Sequence, residues 1–266
     1  HSIKTGLFDP EVFFESSGTT GVHPSRHGIL SLKAYLQNAT ENFNEFYGRP
    51  DEYCFLALLP SYLERGNSSL VAMADHFIKL SGHPSSGFFL HDLNQLHQTL
   101  TQLEEKGQPT ILLGVTYALM DFAEQFPMQL QHTLVMETGG MKGRREEITR
   151  AALHQFLGYR LGVREIHAEY GMTELQSQAY SKGGGWFKTP STMKVLLRSP
   201  DDPFEVWEPL DYPMRTGAVN IIDLANADTI SFIATDDLAR FRADGSFEIT
   251  GRMDNCDIRG CSQLAL

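Results

Sequence analysis

Apolar side chains at Ile29, Leu32, Tyr35, Leu36, Ala39, Phe43 and Phe46 recur at helical spacing and predict a helix over 26–47 that packs by one face. Cys54-Phe55-Leu56-Ala57-Leu58-Leu59 is instead an unbroken apolar run closed by Pro60, the pattern of a strand buried on both faces, with Cys54 as a core thiol. Helical spacing resumes at Leu70, Val71, Ala72, Met73 and Phe77. The alternation then repeats: strand at 88–90, helix over 91–106 closed by Gly107, strand at 110–114, helix over 115–126, strand at 133–137, and helix over 143–157. Strands alternating with helices imply βαβ units, hence an α/β fold with a mainly parallel sheet flanked by helices. Ligands of such sheets bind at the loops that leave the carboxyl ends of the strands.

After residue 190 the texture changes. Val195-Leu196-Leu197, Ala218-Val219-Asn220-Ile221-Ile222, the run at 229–234 and Phe247-Glu248-Ile249 are short strands separated by Pro, Gly and Asp turns, with no long helix between them. They predict a smaller β-rich, antiparallel lobe over 191–266 beside an α/β lobe over 1–190.

Candidate chemistry begins near the start. Glu15-Ser16-Ser17-Gly18-Thr19-Thr20-Gly21 follows the strand-like Val12-Phe13-Phe14 and offers hydroxyls and glycine N–H groups, the materials of a phosphate cradle. A plain strand-to-helix turn uses the same residues. It is not the P-loop of NTPases, because Val22-His23 stand where Lys and Ser/Thr belong. The net charge of -11 argues against a general nucleic-acid binder. No apolar run is long enough for a membrane span and no signal peptide opens the chain, so the cytoplasm is the expected compartment. Cys54, Cys256 and Cys261 form no redox or metal spacing, and neither do the histidines, His167 included. Because the sequence opens on His1, further residues are expected before it.

Four later stretches act on that loop. Glu137-Thr138-Gly139-Gly140-Met141-Lys142 is a glycine turn ending a strand, with Arg144 and Arg145 beyond; Tyr170-Gly171-Met172-Thr173-Glu174 ends another; Thr235-Asp236-Asp237-Leu238 is expected to end a third; and Gly251-Arg252-Met253-Asp254 follows an Asp244-Gly245 hairpin. In kind and order these resemble the motifs of the adenylate-forming superfamily, which activates a carboxylic acid with ATP to give acyl-AMP and pyrophosphate. The resemblance implies that Ser16, Ser17, Gly18, Thr19, Thr20 and Gly21 would hold the β- and γ-phosphates. Gly139, Gly140 and Met141 would lie along the adenine, and Tyr170 would stack on it beside Gly171. Thr173 would contact the α-phosphate, Glu174 would bind Mg²⁺, and Asp237 would take the ribose hydroxyls with Arg252 nearby. Taken singly, Tyr170 reads equally well as a core aromatic, Glu174 as a loop charge and Asp236-Asp237 as a turn pair.

The chain departs from that pattern in three places. No lysine follows the loop, where Arg26 is the nearest cation; Asp236 replaces a glycine; and only a few residues follow Gly260, where typical relatives carry a small mobile C-terminal domain. The expectation is therefore the large N-terminal domain of an adenylate-forming enzyme without that mobile domain. The closest resemblance is to the shorter acyl-protein synthetases of the LuxE type, on Asp257-Ile258-Arg259-Gly260-Cys261-Ser262 and on 14–21. It implies a fatty acid as substrate, transfer of the acyl group to Cys261, and an acyl-CoA reductase or other acyl-acceptor protein as partner. Arg259 and Arg252 would activate the thiol; a small buried residue is the plain alternative for Cys261. Tyr62, Leu70, Met73, Phe77, Val115, Tyr117 and Met120 flank the loops where an acyl tunnel is expected. The competing functions are a carboxylate–CoA ligase of the phenylacetate type and a nucleotide-binding subunit without turnover.

Overall fold

The computed structural model describes residues 4–16, 25–60, 66–139 and 148–253. A two-stranded antiparallel ribbon opens it, β1 (Val12–Glu15) against β2 (Arg26–Ile29), with Glu15 opposite Arg26. The helix expected over 26–47 is thus corrected at its start. Its first residues pair with β1, Gly28 packs so closely that a Cβ there would come within 2.7 Å of Pro10 Cγ, and α1 (Leu32–Tyr47) begins only after Ser31, whose Oγ accepts the Ala34 N–H. Strand pairing and an N-cap override the apolar periodicity of Ile29.

The alternation then unfolds as β3 (Cys54–Leu58), α2 (Ser69–Ser81), β4 (Gly87–Phe88), α3 (Leu93–Glu105), β5 (Thr110–Val115), α4 (Thr116–Gln125), β6 (Thr133–Thr138), α5 (Arg150–Leu161) and β7 (His167–Tyr170). α5 starts at a Thr149 cap and runs past the expected end at 157, to Gly162 in the left-handed conformation. From there the chain is β-rich: β8 (Ala179–Ser181), β9 (Phe187–Lys188), β10 (Met193–Arg198), β11 (Val206–Trp207), β12 (Gly217–Asp223), β13 (Phe232–Phe241) and β14 (Phe247–Arg252).

All but the ribbon strands form one continuous sheet in the order β11-β10-β12-β13-β14-β9-β8-β7-β6-β5-β3-β4. Pairings from β4 to β7 are parallel, and those from β7 through β8 to β11 are antiparallel. The sheet is therefore mixed, and its direction changes at β8, within the first 190 residues.

Helices cover the parallel half because its strands are apolar on both faces; Phe43, Phe55, Phe77, Leu112, Phe122, Val135 and Leu157 share its core. A second core of Tyr170, Phe187, Val219, Ile221, Phe241 and Phe247 serves the antiparallel half. The ribbon is fastened by Phe14, Ile29, Tyr35 and Ala72, with the Phe14 and Tyr35 rings edge to face at 5.1 Å. Among the described residues no helix is long and apolar enough to cross a membrane.

The strand expected at 229–234 is displaced. β13 starts at Phe232 and runs through Thr235-Asp236-Asp237-Leu238 to Phe241, so the paired carboxylates lie inside a strand rather than at its end. Thr235 is tied in from both sides, its carbonyl accepting an Arg198 guanidinium N–H at 2.7 Å and its hydroxyl donating to Val219 O at 3.0 Å. An irregularity between Leu238 and Ala239 accommodates the run.

Candidate active site

β1 delivers the hydroxyl loop. Its ends are closed by Ser16, whose N–H donates to Ser25 O and whose Oγ accepts the Ser25 N–H, at 3.0 and 2.9 Å. Glu15 anchors this base to the segment before α2, donating its N–H to Asn67 O at 2.7 Å and accepting the Asn67 amide at 2.6 Å. Ser17, Gly18, Thr19, Thr20 and Gly21 lie outside the described residues. Arg26, the nearest cation in sequence, has its guanidinium 3.8 Å from the Phe13 ring centre and 3.6 Å from Glu15 Oε1, so the ribbon itself engages it.

The carboxyl ends of β6 and β7 bring two predicted stretches together. β6 ends at Thr138, Gly139 turns the chain at φ 71°, and its carbonyl accepts the Thr116 hydroxyl at 3.1 Å. Gly140 and Met141 lie outside the described residues. Beneath this turn sit two buried carboxylates. Glu137 accepts Arg150 Nε–H at 3.1 Å and lies 3.6 Å from His154. Glu169 accepts the Thr138 hydroxyl; burial pushes its carboxyl up to about 7, the hydrogen bond opposing and the Glu137 charge reinforcing the shift.

Tyr170 lies at the junction of the two halves of the sheet. Its ring is buried, 5.8 Å from both Phe187 and Phe247, and its hydroxyl donates to Asp237 Oδ2 at 2.8 Å. Arg252 is the cross-strand partner of Asp237, with Nε 3.8 Å from Asp237 Oδ1 and a terminal nitrogen 3.4 Å from Asp236 Oδ2. Arg252 Nε is buried without a hydrogen-bond acceptor in reach. Asp237 thus meets Arg252 through strand register and Tyr170 through its hydroxyl, which reaches from β7 to β13 past the strands between them in the sheet.

Thr173 and Glu174, both half-buried, are held by a strap that sequence reasoning missed. Asn226 donates to Glu174 O at 2.6 Å and accepts the Gln176 amide at 3.0 Å. Asp223, fully buried, accepts the N–H groups of Gln176 and Ser177 and the Ser177 hydroxyl at 2.7, 3.1 and 2.7 Å. From α1, Asn38 donates to Gln176 O at 2.8 Å and Asn42 accepts the Gln178 N–H at 3.1 Å. His27 completes it, 3.3 Å from Asn226 Oδ1; burial lowers its pKa against the opposing Asn226 bond and Glu174 charge. The available signal was Asp223-Leu224-Ala225-Asn226, two amide- or acid-bearing residues directly after an apolar strand.

Between the Ser16 base, the start of α2 and residues 171–173 lies a cavity of about 80 Å³ lined by Glu15, Ser68, Gly139, Glu169, Thr173 and Gln178, among others. Of the residues expected beside an acyl tunnel, Leu70 and Met73 line it, whereas Phe77, Val115, Tyr117 and Met120 belong to the core of the parallel half. Tyr62 lies outside the described residues. Cys54 is a core thiol, pushed up by burial. Cys256 and Cys261 lie outside the described residues. No group of three or more potential metal ligands occurs among the described residues.

The architecture is that of the large N-terminal domain of adenylate-forming enzymes. The ATP-bound RpMatB-BxBclM chimera B1 superposes with a TM-score of 0.67 at 16% identity, over 90% of this chain and 47% of that one. O-succinylbenzoate coenzyme A synthetase from Bacillus subtilis, solved with ATP and magnesium, gives 0.63 at 16% identity over 92% of this chain and 50% of its own. The luciferase-like enzyme of the mealworm Zophobas morio gives 0.61 at 17% identity, over 95% and 60%. The chain therefore spans about half the length of these structures. No protein-family model and no curated protein matches the sequence.

Proposed function

We propose that the protein activates a carboxylic acid with ATP, forming an acyl-adenylate and releasing pyrophosphate, and then passes the acyl group to a protein thiol. The observation that carries the reading is the junction of Tyr170, Asp237 and Arg252, three residues from separate motifs that meet on a fold shared with ATP-bound ligases. The same fold would accommodate other ligands, so the side-chain chemistry has to carry the assignment.

That chemistry suits a nucleotide. Asp237 is a buried acceptor of the kind a ribose diol satisfies, and the orphaned Arg252 Nε needs an acceptor oxygen such as a phosphate or ribose supplies. Gly139 and Gly171 let backbone approach a flat base closely, and the Ser16 loop is closed at its base as a cradle must be. Glu174 is a single half-buried carboxylate beside Thr173, which fits Mg²⁺, a cation held through one or two carboxylates together with substrate phosphates. When bound, Mg²⁺ neutralises phosphate charge. The protein's own part is to position the acid carboxylate in line with the α-phosphorus and to hold Thr173 and Arg252 against the charge that develops there. In this reading Cys261 receives the acyl group and an acyl-CoA reductase or another acceptor protein takes it onward.

The test is acid-dependent exchange of labelled pyrophosphate into ATP. Exchange that requires an added carboxylic acid is expected; its absence with every acid, while the protein is folded, overturns the reading. Cys261→Ser is expected to keep exchange and abolish covalent acyl labelling. A second reading is favoured by the coenzyme A ligases among the similar structures. Release of an acyl-CoA when coenzyme A is added, with no labelled protein, would replace the thiol-transfer step with it.

A further inference from the structure

We propose that the acid accepted by this site carries a hydrogen-bond donor beyond its carboxylate, a hydroxyl or an ammonium, and that Glu169 and Gln178 read that donor. The inference rests on the adenylating reading above and names the substrate class of the same site.

The cavity of about 80 Å³ lies beside Thr173, the residue given to the α-phosphate, and in this reading it takes the acid. Thr173, Gly139 and Gly171, assigned above to the nucleotide, form one side of it, whereas Tyr170, Asp237 and Arg252 do not line it, so it adjoins the nucleotide. Its wall is not that of an alkyl tunnel. Tyr35, Leu70, Met73 and Met172 are outnumbered by Glu15, Ser68, Ser69, Thr138, Glu169, Thr173 and Gln178, and Phe77, Val115, Tyr117 and Met120, expected beside a tunnel, are packed in the core instead.

One of the polar groups lacks a donor, and a second acceptor oxygen stands in the same wall. Gln178 is 4% exposed and its Oε1 is buried without a hydrogen-bond partner, while its Nε2 donates to Gln176 O at 3.4 Å and its backbone N–H to Asn42. The Asn42 bond and the strap fix the backbone that carries it. Glu169, 8% exposed, has Oε2 taken by the Thr138 hydroxyl; Oε1 sits directly against residue 171, where a Cβ would come within 2.5 Å of it. Glycine at 171 therefore leaves that oxygen its place at the cavity wall. A buried acceptor without a donor is costly, and a site built around such groups discriminates strongly against an analogue that lacks the donor. A straight alkyl acid brings only CH₂ groups to both oxygens. A hydroxy or amino acid brings the donor that Gln178 lacks, and an ammonium would also pair with Glu169 in its carboxylate form.

The experiment is pyrophosphate exchange with three- to six-carbon acids in matched sets, unsubstituted, hydroxy-substituted and amino-substituted, with tetradecanoic acid alongside. The hydroxy or amino arm is expected to exceed its unsubstituted isostere by at least about a hundredfold in kcat/KM. The better of the two arms identifies the donor. Glu169→Gln should keep a hydroxyl preference and weaken an ammonium preference, and Gln178→Leu should erase most of either while the ATP-induced rise in Tm persists. Unsubstituted or tetradecanoic acid performing as well as the substituted isosteres overturns this inference and leaves adenylation standing. Exchange with no acid in any arm overturns both.

Discussion

The two halves of the sheet hold their chemistry in different ways. In the parallel half the strands are buried on both faces and act as a platform, so the candidate residues sit at and beyond the carboxyl ends of β6 and β7. In the antiparallel half the candidate residues are inside the sheet: Asp237 is mid-strand in β13 and Arg252, across from it, is in β14. Tyr170 joins them, as the last residue of a parallel strand whose hydroxyl reaches an antiparallel one. Loop chemistry can be remodelled without touching a core. Register chemistry cannot, because a one-residue slip would turn Asp237 to the opposite face.

This difference is open to attack by mutation. Phe247→Ala removes a fully buried ring that packs on Tyr170, Phe187 and Phe241, and should cost about 3–5 kcal/mol in urea unfolding. Phe122→Ala in the other core should cost a similar amount. The account requires Phe247→Ala to lower the exchange rate of the molecules that remain folded and Phe122→Ala to spare it; equal effects would dissolve the distinction.

Glu169 makes a second contrast, through pH. Its folded pKa of about 7 lies above the unfolded value, so its contribution is fully present below the unfolded pKa and is lost as pH rises through 7. Between about pH 4.5 and 7 the wild type should therefore lose stability relative to Glu169→Gln, on the order of 3 kcal/mol in all. Glu137 from β6, Tyr35 from α1 and Tyr180 from β8 are the titratable groups coupled to it. His167, pushed down to about 4 by burial, acts with the opposite sign: its contribution is present above its unfolded pKa and lost as pH falls. The difference between the two proteins isolates Glu169, and a flat difference across that range would show that its carboxyl titrates normally.

Arg252→Ala should lower acid-dependent exchange about a hundredfold, and Arg252→Lys should not restore it, since an ammonium does not reproduce the planar guanidinium that spans Asp236 and Asp237. Full activity in the lysine variant would reduce the site to a point charge. Asn226→Ala unfastens the strap and should cost about 1–3 kcal/mol, while raising the Mg²⁺ concentration for half-maximal exchange. An unchanged Mg²⁺ requirement would make the strap purely structural. Lys194→Ala, which removes an exposed pair with Glu208, should fall within about 0.5 kcal/mol of wild type.

Legibility in the sequence follows the same division. The parallel half was readable because burial on both faces writes unbroken apolar runs, and β3, β5 and β6 lie within a residue or two of their expected positions. The ribbon was not, because Ile29 satisfies a helical spacing by coincidence while Gly28 and the pairing with β1 decide the outcome. In the antiparallel half Asp236-Asp237 resembles a turn, and nothing local reveals that Arg198, a distant residue, satisfies the backbone that keeps it extended. The order of the motifs pointed to residues that do converge, namely Tyr170, Asp237 and Arg252. The Asp223 and Asn226 strap escaped notice because its partners at His27, Asn38, Asn42 and 174–178 are assembled only by folding.

The most direct measurement follows one oxygen atom. A carboxylic acid labelled with ¹⁸O in its carboxylate, incubated with ATP, Mg²⁺ and an acyl acceptor, should leave one labelled oxygen in the AMP, because the acid oxygen bonds to the α-phosphorus and stays there when the acyl group departs. ¹⁸O in inorganic phosphate with ADP as the co-product, or unlabelled AMP, would contradict an adenylating site built from Tyr170, Asp237 and Arg252.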